Sequence, residues 1–173
     1  TPLRLSLSGG GSDLPIYFKK IKSNVLNFAI NLYITTIIKK HKNKGVIFNS
    51  LDLKKKKKLE KIKSSKDDYY LASKVYNFIC EKYKKDKNNN IEIISFSDVP
   101  VGSGLGGSSS ITVSLYMCLC EYFKIKVAKQ TVIKDTYFIE RVLCQKKGGI
   151  QDYYPAVYGG LLHLFFHKNK KTF

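Results

Sequence analysis

Tryptophan is absent from the 173 residues, and acidic side chains are scarce, 13 Asp and Glu against 31 Lys and Arg. The first absence does not thin the core, because 12 Tyr and 10 Phe supply aromatic bulk and hydrophobic residues make up 43% of the chain. A disordered chain would be poorer in apolar residues, and the length suffices for one domain with a real core. The shortage of acid leaves a net charge of +18, which raises nucleic acid or an acidic membrane as partners. The lysines are not patterned into a face, however. They belong to a general excess of Lys, Asn and Ile, as in Lys54-Lys55-Lys56-Lys57-Lys58 and Asn88-Asn89-Asn90. The expectation is therefore no nucleic-acid and no membrane partner. A basic surface suits small anionic substrates.

Other absences narrow the class further. The four cysteines, Cys80, Cys118, Cys120 and Cys144, form no C-x-x-C pair, which argues against zinc. No signal-peptide pattern and no N-x-[ST] sequon occur, so reduced thiols in a cytoplasmic protein are expected. The longest strongly apolar stretch, 111–120, is too short to span a bilayer. The histidines, His41, His163 and His167, are scattered, and no G-x-S-x-G elbow exists, which disfavours a serine hydrolase. There is no internal repeat.

The remaining pattern predicts an α+β domain. Alternation predicts strands over 3–7 and 91–96, and β-branched residues predict one or two strands over 25–38. A further strand is expected over 45–48 after a turn at 41–44. The basic stretch 54–66 is expected as a solvated loop or strand edge. Helices are expected over 67–83, with Leu71, Val75, Phe78 and Ile79 on one face, and over 108–123, with Ile111, Leu115, Leu119 and Tyr122 on one face. Another is expected over 127–143, a short one over 150–157 limited by Pro155, and a closing strand over 161–166. Helices packed on one face of a largely antiparallel sheet follow from that order.

The strongest chemical signal is Pro100-Val101-Gly102-Ser103-Gly104-Leu105-Gly106-Gly107-Ser108-Ser109-Ser110, between a predicted strand and a predicted helix. Small residues let backbone N–H groups approach a phosphate, and a helix N-terminus adds free donors and partial positive charge. Four glycines and four serines within residues 102–110 exceed what a capped turn needs. A Walker A loop is excluded because no lysine stands in place. The spacing Gly102, Gly104, Gly107 matches G-x-G-x-x-G, but a dinucleotide fold should open near the chain start, and here strand-rich sequence precedes it.

This loop resembles the ATP loop of the GHMP kinases. Two further segments agree. Thr1 to Pro15, with Gly9-Gly10-Gly11-Ser12-Asp13, resembles the opening motif of the sugar-kinase branch, and Gly148-Gly149-Ile150-Gln151-Asp152 with Tyr158-Gly159-Gly160 resembles the segment carrying its catalytic aspartate. The form Gly-Gly-Gly-Ser-Asp-Leu-Pro is similar to the heptose 7-phosphate 1-kinases and the related fucokinase modules.

The resemblance implies a GHMP N-terminal domain over 1–173, a fold shared with a ribosomal-protein domain. It implies ATP and Mg²⁺, with a sugar or sugar phosphate as acceptor. Asp152 would take or orient the proton of the anomeric hydroxyl, and Arg4 would sit beside it. Gly102, Ser103, Gly104, Leu105, Gly106, Gly107, Ser108 and Ser109 would hold the nucleotide. Ser108 and Glu140 would hold Mg²⁺. Asp13, with Gly10 and Gly11, would bind the sugar. The family's C-terminal domain and third glycine-rich motif are not in these residues, and no initiator Met is present, so a fragment is expected. A fucokinase- or galactokinase-like enzyme, an RNA-binding module and an inactive pseudokinase stay open as alternatives.

Overall fold

The computed structural model describes residues 1–42 and 45–167. Six strands form one sheet, β1 (Pro2–Ser8), β2 (Ser23–Lys40), β3 (Val46–Ser50), β4 (Lys55–Lys58), β5 (Ile91–Ser97) and β6 (Leu161–Phe166), in the order β1-β2-β5-β3-β4 with β6 also on β2. All pairings are antiparallel except β3 with β5. The helices are α1 (Pro15–Phe18), α2 (Tyr70–Lys82), α3 (Gly107–Tyr122), α4 (Lys129–Tyr137) and α5 (Tyr153–Tyr158). Among the described residues no helix is long and apolar enough to cross a membrane.

The apolar stretch after residue 23 is one strand of 18 residues, not two. It continues because it pairs in succession, with β1 and β6 along its first half and β5 along its second. The turn expected over 41–44 falls partly on residues 43 and 44, which lie outside the described residues. The basic run forms the edge strand β4 and a 3-10 turn, Leu59–Lys61. Three of its lysines are paired with acids: Lys57 with Asp67, Lys55 with Asp68 at 3.0 Å, and Lys56 with Glu92 at 3.1 Å. A lysine-rich edge discourages pairing with another chain. Burial is the largest effect on Glu92 and would raise its pKa. The hydrogen bonds from Lys56, Lys39 and Asn49 outweigh it and hold the carboxyl below the usual range.

Helix α2 begins at Tyr70 rather than at 67. The Asp67 side chain accepts from the Tyr69 N–H at 3.0 Å, making a turn that delays the helix. Leu71, Val75 and Ile79 face the core as the spacing predicts, joined by Tyr76 and Cys80. Helix α3 is buried more widely than one face. Leu115 and Leu119 are covered, and so are Val113, Tyr116 and Cys120, because α3 lies on β2 and also packs against α2, α4 and α5. Its small polar residues allow that close approach. Ser114 Oγ meets Thr36 Oγ1 at 2.8 Å, and Ser110 Oγ donates to the Pro2 carbonyl at 3.2 Å. Burial pushes the Cys120 thiol up to about 11, so it stays protonated and inert.

The chain leaves β1 through Gly9, whose φ is +75°. A Cβ there would lie 1.8 Å from the Asn24 carbonyl oxygen, a backbone atom. Gly9→Ala should destabilise the fold by roughly 2–4 kcal/mol, combining left-handed strain with overpacking. Urea denaturation of the variant against the parent checks this. An unchanged midpoint would mean that the loop relaxes freely.

Candidate active site

Strand β5 delivers the chain into the loop 98–106, and α3 starts directly behind it. Gly102, Gly104 and Gly106 adopt φ of +87°, +76° and +79°, a conformation that side chains rarely take. Added Cβ atoms at Gly102, Gly104 and Gly107 would meet nothing within 4 Å. Their glycines therefore serve loop shape and access rather than packing. At Gly106 a Cβ would crowd the Arg4 side chain at 3.3 Å. Arg4 is tied to this loop twice, its backbone N–H donating to the Leu105 carbonyl at 3.1 Å and Nη1 to the Gly104 carbonyl at 2.8 Å.

The other end of the Arg4 fork meets Asp152. Nε and Nη2 both lie 2.7 Å from Asp152 Oδ1. The two side chains are 13% and 19% exposed, so the pair is shielded yet open on one side. Asp152 is the residue before α5, and β1 brings Arg4 to it across 148 positions.

A second acid stands behind the glycine-rich loop. Glu140 has no exposed surface. Its carboxylate accepts from Ser108 Oγ at 2.5 Å, Tyr153 Oη at 2.7 Å and Thr112 Oγ1 at 3.4 Å, and Arg141 Nη1 lies 3.4 Å away. Burial, reinforced by the Glu140 carboxylate, drives the Tyr153 hydroxyl well above its usual pKa, so it remains a donor. Glu140 and Arg141 sit in a wide π-helical turn, Phe138–Leu143, that continues α4. The sequence predicted an unbroken helix over 127–143. The wider turn changes the angle between neighbours, and both residues reach the start of α3: Arg141 Nη2 donates to Ser109 Oγ at 3.2 Å. Such turns often sit at functional sites. Lys146 Nζ also reaches Ser108 Oγ, at 3.3 Å.

These groups border one cavity of about 600 Å³. Its polar end holds Arg4, Asp152, Ser108, Glu140, Arg141 and Lys146, and its apolar end holds Phe48, Leu53, Tyr69, Leu71, Ile93 and Phe96. Of the expected phosphate-loop residues, Gly102, Ser103, Gly104, Gly106, Gly107, Ser108 and Ser109 line it, and Leu105 contributes its carbonyl to Arg4. Asp13, Gly10 and Gly11 are not among its walls. Asp13 is 1% exposed and accepts from the Gln151 N–H at 2.8 Å and from Gln151 Nε2 at 3.0 Å, while Gly10 and Gly11 are exposed.

Sequence reasoning missed Tyr153 and Thr112 as partners of Glu140, and Arg141 and Lys146 as cations of the site. Lys146 and Lys147 were lost in the general lysine excess. The pair Glu140-Arg141, opposite charges at the end of a predicted helix, was the one available signal. Among the described residues no group of three or more His, Cys, Asp or Glu gathers to hold a metal. The pairing of Ser108 with Glu140 is one hydroxyl and one carboxylate. That suits Mg²⁺, which takes few protein ligands and keeps water and phosphate oxygens.

Comparison with known proteins identifies the family. The GHMP kinases N terminal domain matches residues 70–160. The chain is 36% identical over 174 residues to a D-glycero-alpha-D-manno-heptose 7-phosphate kinase of Campylobacter jejuni, covering 99% of this chain and 51% of that protein. It is 29% identical over 143 residues to a galactokinase of Thermotoga maritima, covering 82% of this chain and 39% of that protein. The crystal structure of a D-glycero-D-manno-heptose 1-phosphate kinase from Bacteroides thetaiotaomicron superposes with a TM-score of 0.84 at 31% identity, over 97% of this chain and 55% of that one. The chain thus spans about half the length of these heptose-phosphate kinases. With the glycine-rich loop at the head of α3 and Asp152 both inside the matched residues, and Arg4 joined to both, the chain belongs to the GHMP kinases and carries their N-terminal domain.

Proposed function

We propose that this chain is the N-terminal half of a cytoplasmic, ATP-dependent kinase that phosphorylates the anomeric hydroxyl of D-glycero-D-manno-heptose 7-phosphate. The observation that carries the reading is the Arg4–Asp152 pair, fixed at 2.7 Å beside the loop that would hold the triphosphate. The 36% identity to a heptose 7-phosphate kinase over nearly the whole chain supports the choice of acceptor.

The apolar end of the cavity suits the adenine ring, and the loop glycines and α3 N-terminus suit the phosphates. Both Arg4 contacts fall on Asp152 Oδ1, leaving Oδ2 for the acceptor hydroxyl. As that oxygen bonds to the γ-phosphorus, its proton passes to Asp152, and the bond from the γ-phosphorus to the bridging oxygen breaks to release ADP. Positioning and charge neutralisation do most of the work in such a transfer. Arg4 stabilises the negative charge that develops beside it, and Lys146 is within reach of the same region. Ser108 and Glu140 would hold Mg²⁺, which would supply charge neutralisation at the transferring phosphoryl group.

The test is to incubate the complete gene product with Mg·ATP and a panel of acceptors: the heptose 7-phosphate, L-fucose, D-galactose and mevalonate. Phosphorus NMR and mass spectrometry identify the products. An anomeric phosphate on the heptose alone is expected. Transfer to fucose or galactose would keep the kinase and overturn the acceptor. No transfer to any of them would sink the proposal.

A further inference from the structure

We propose that Tyr153 is a positioning residue that restricts Glu140 to one ligating oxygen, and that it thereby sets the preference of this site for Mg²⁺ over a larger cation such as Ca²⁺. The proposal rests on the reading of Ser108 and Glu140 as the residues that hold the nucleotide's metal. It starts from the way the Glu140 carboxylate is shared out. Oε2 accepts from Tyr153 Oη at 2.7 Å and from Thr112 Oγ1 at 3.4 Å, and both bonds are buried. Oε1 accepts from Ser108 Oγ at 2.5 Å, with Arg141 Nη1 more loosely placed at 3.4 Å, and both contacts are only partly buried. One oxygen is therefore committed to donors in the interior. The other faces the serine that would share the metal.

The Tyr153 hydroxyl is a fixed donor. Tyr153 has no exposed surface. Its ring stands edge-on to Tyr137, with centroids 6.0 Å apart, and the Arg141 guanidinium lies 5.6 Å from its centroid. The ring cannot swing aside without opening the core, so Oε2 stays engaged while Oε1 is offered. Tyr153 also follows Asp152 directly, at the start of α5. Consecutive residues thus serve the two acids of the site. Asp152 is one of them, tied to Arg4, and Tyr153 holds the other. The metal-holding carboxylate is registered to the acceptor side through a single peptide.

The two cations respond differently to such a carboxylate. Mg²⁺ demands short, near-octahedral bonds and takes few protein oxygens. Ca²⁺ accepts more ligands at longer distances and takes a carboxylate by one oxygen or by both. A carboxylate with a single free oxygen suits the first. Removing the hydroxyl would release Oε2, adding a ligand that Ca²⁺ can use and loosening the aim that Mg²⁺ needs. Partners that orient a ligating carboxylate are typically worth about 10–100-fold in metal affinity.

The experiment uses the complete kinase and calorimetry with the Mg²⁺ and Ca²⁺ complexes of a non-hydrolysable ATP analogue. The parent is compared with Tyr153→Phe, Thr112→Val and Glu140→Gln. Phenylalanine keeps the ring contacts and removes only the donor. Tyr153→Phe is expected to weaken the Mg²⁺ complex about 10-fold and to leave the Ca²⁺ complex at parental affinity or tighter. The ratio of Ca²⁺ to Mg²⁺ affinity then rises by about that factor. A role confined to packing would weaken both complexes alike, and an unchanged ratio would overturn the proposal.

Thr112→Val removes the longer bond at the same oxygen and should raise the ratio by less. Should Tyr153→Phe not fold, Thr112→Val decides by the same ratio. Glu140→Gln separates the proposal from the reading beneath it. If that variant binds both complexes with parental affinity, Glu140 holds no metal and the two fall together. If it weakens the Mg²⁺ complex while the Tyr153→Phe ratio stays parental, the positioning role alone falls. Binding requires no acceptor, so the result stands whichever sugar the kinase takes.

Discussion

Asp152→Asn is expected to lower kcat by a factor of about 10²–10⁴ while leaving Mg·ATP binding intact. The amide has the shape of the carboxylate and keeps an oxygen for Arg4, so the 2.7 Å contact can persist. What disappears is the ability to take a proton and the negative charge that orients the acceptor hydroxyl. Calorimetry with a non-hydrolysable ATP analogue should give the parental affinity, and single-turnover measurements should show the loss. An active variant would remove Asp152 from the chemistry. Arg4→Lys makes a companion test. A lysine cannot contact Asp152 Oδ1 with two nitrogens and the Gly104 carbonyl with a third. It should therefore lower kcat even though the charge is kept.

Glu140 gives the second large effect, and its two substitutions should separate fold from function. Glu140→Ala removes a carboxylate with no exposed surface and takes that anionic partner from the Tyr153 hydroxyl, Ser108 and the Arg141 guanidinium. Breaking a buried ion pair in this way costs about 3–5 kcal/mol, which thermal and urea denaturation would register. Arg141 keeps its hydrogen bonds to the Lys147 carbonyl and Ser109 Oγ, so what it loses is charge compensation. Glu140→Gln preserves shape and an oxygen for Tyr153. Its stability loss should be smaller, and the Mg²⁺ concentration for half-maximal rate should rise by about 10–100-fold. An alanine variant as stable as the parent would show that Glu140 is not the keystone of this corner.

The parts of the site that were legible in the sequence are the parts with local physics. A strand, a run of small residues and an apolar helix announce a strand–loop–helix turn by composition alone, and β5, the loop and α3 fall where expected. Arg4 and Asp152 were legible only through resemblance, because 148 positions separate them and no local pattern points from one to the other. The π-helical turn was not legible. A helix widens there because Glu140 and Arg141 are pulled toward α3 by Ser108 and Ser109, a tertiary cause. The same reason hid the partners of Asp13, which lie across 138 positions. The predicted single face of α3 was too narrow because periodicity measures one boundary with solvent, and α3 has little such boundary.

Strand β2 has one more consequence. At 18 residues it is roughly 60 Å of extended chain. Arg4 is registered on it at Ala29, and β5, which launches the glycine-rich loop, is registered from Ile34 onward. One uninterrupted strand therefore sets the spacing between the Arg4–Asp152 pair and the glycine-rich loop, as a ruler does. A single-residue insertion or deletion within 23–40 would turn every following side chain to the opposite face. It would part Thr36 from Ser114 and shift Arg4 relative to Gly104 in the same stroke. An insertion in the connection from β3 through the lysine-rich edge to α2, by contrast, would leave both ends of the ruler in place.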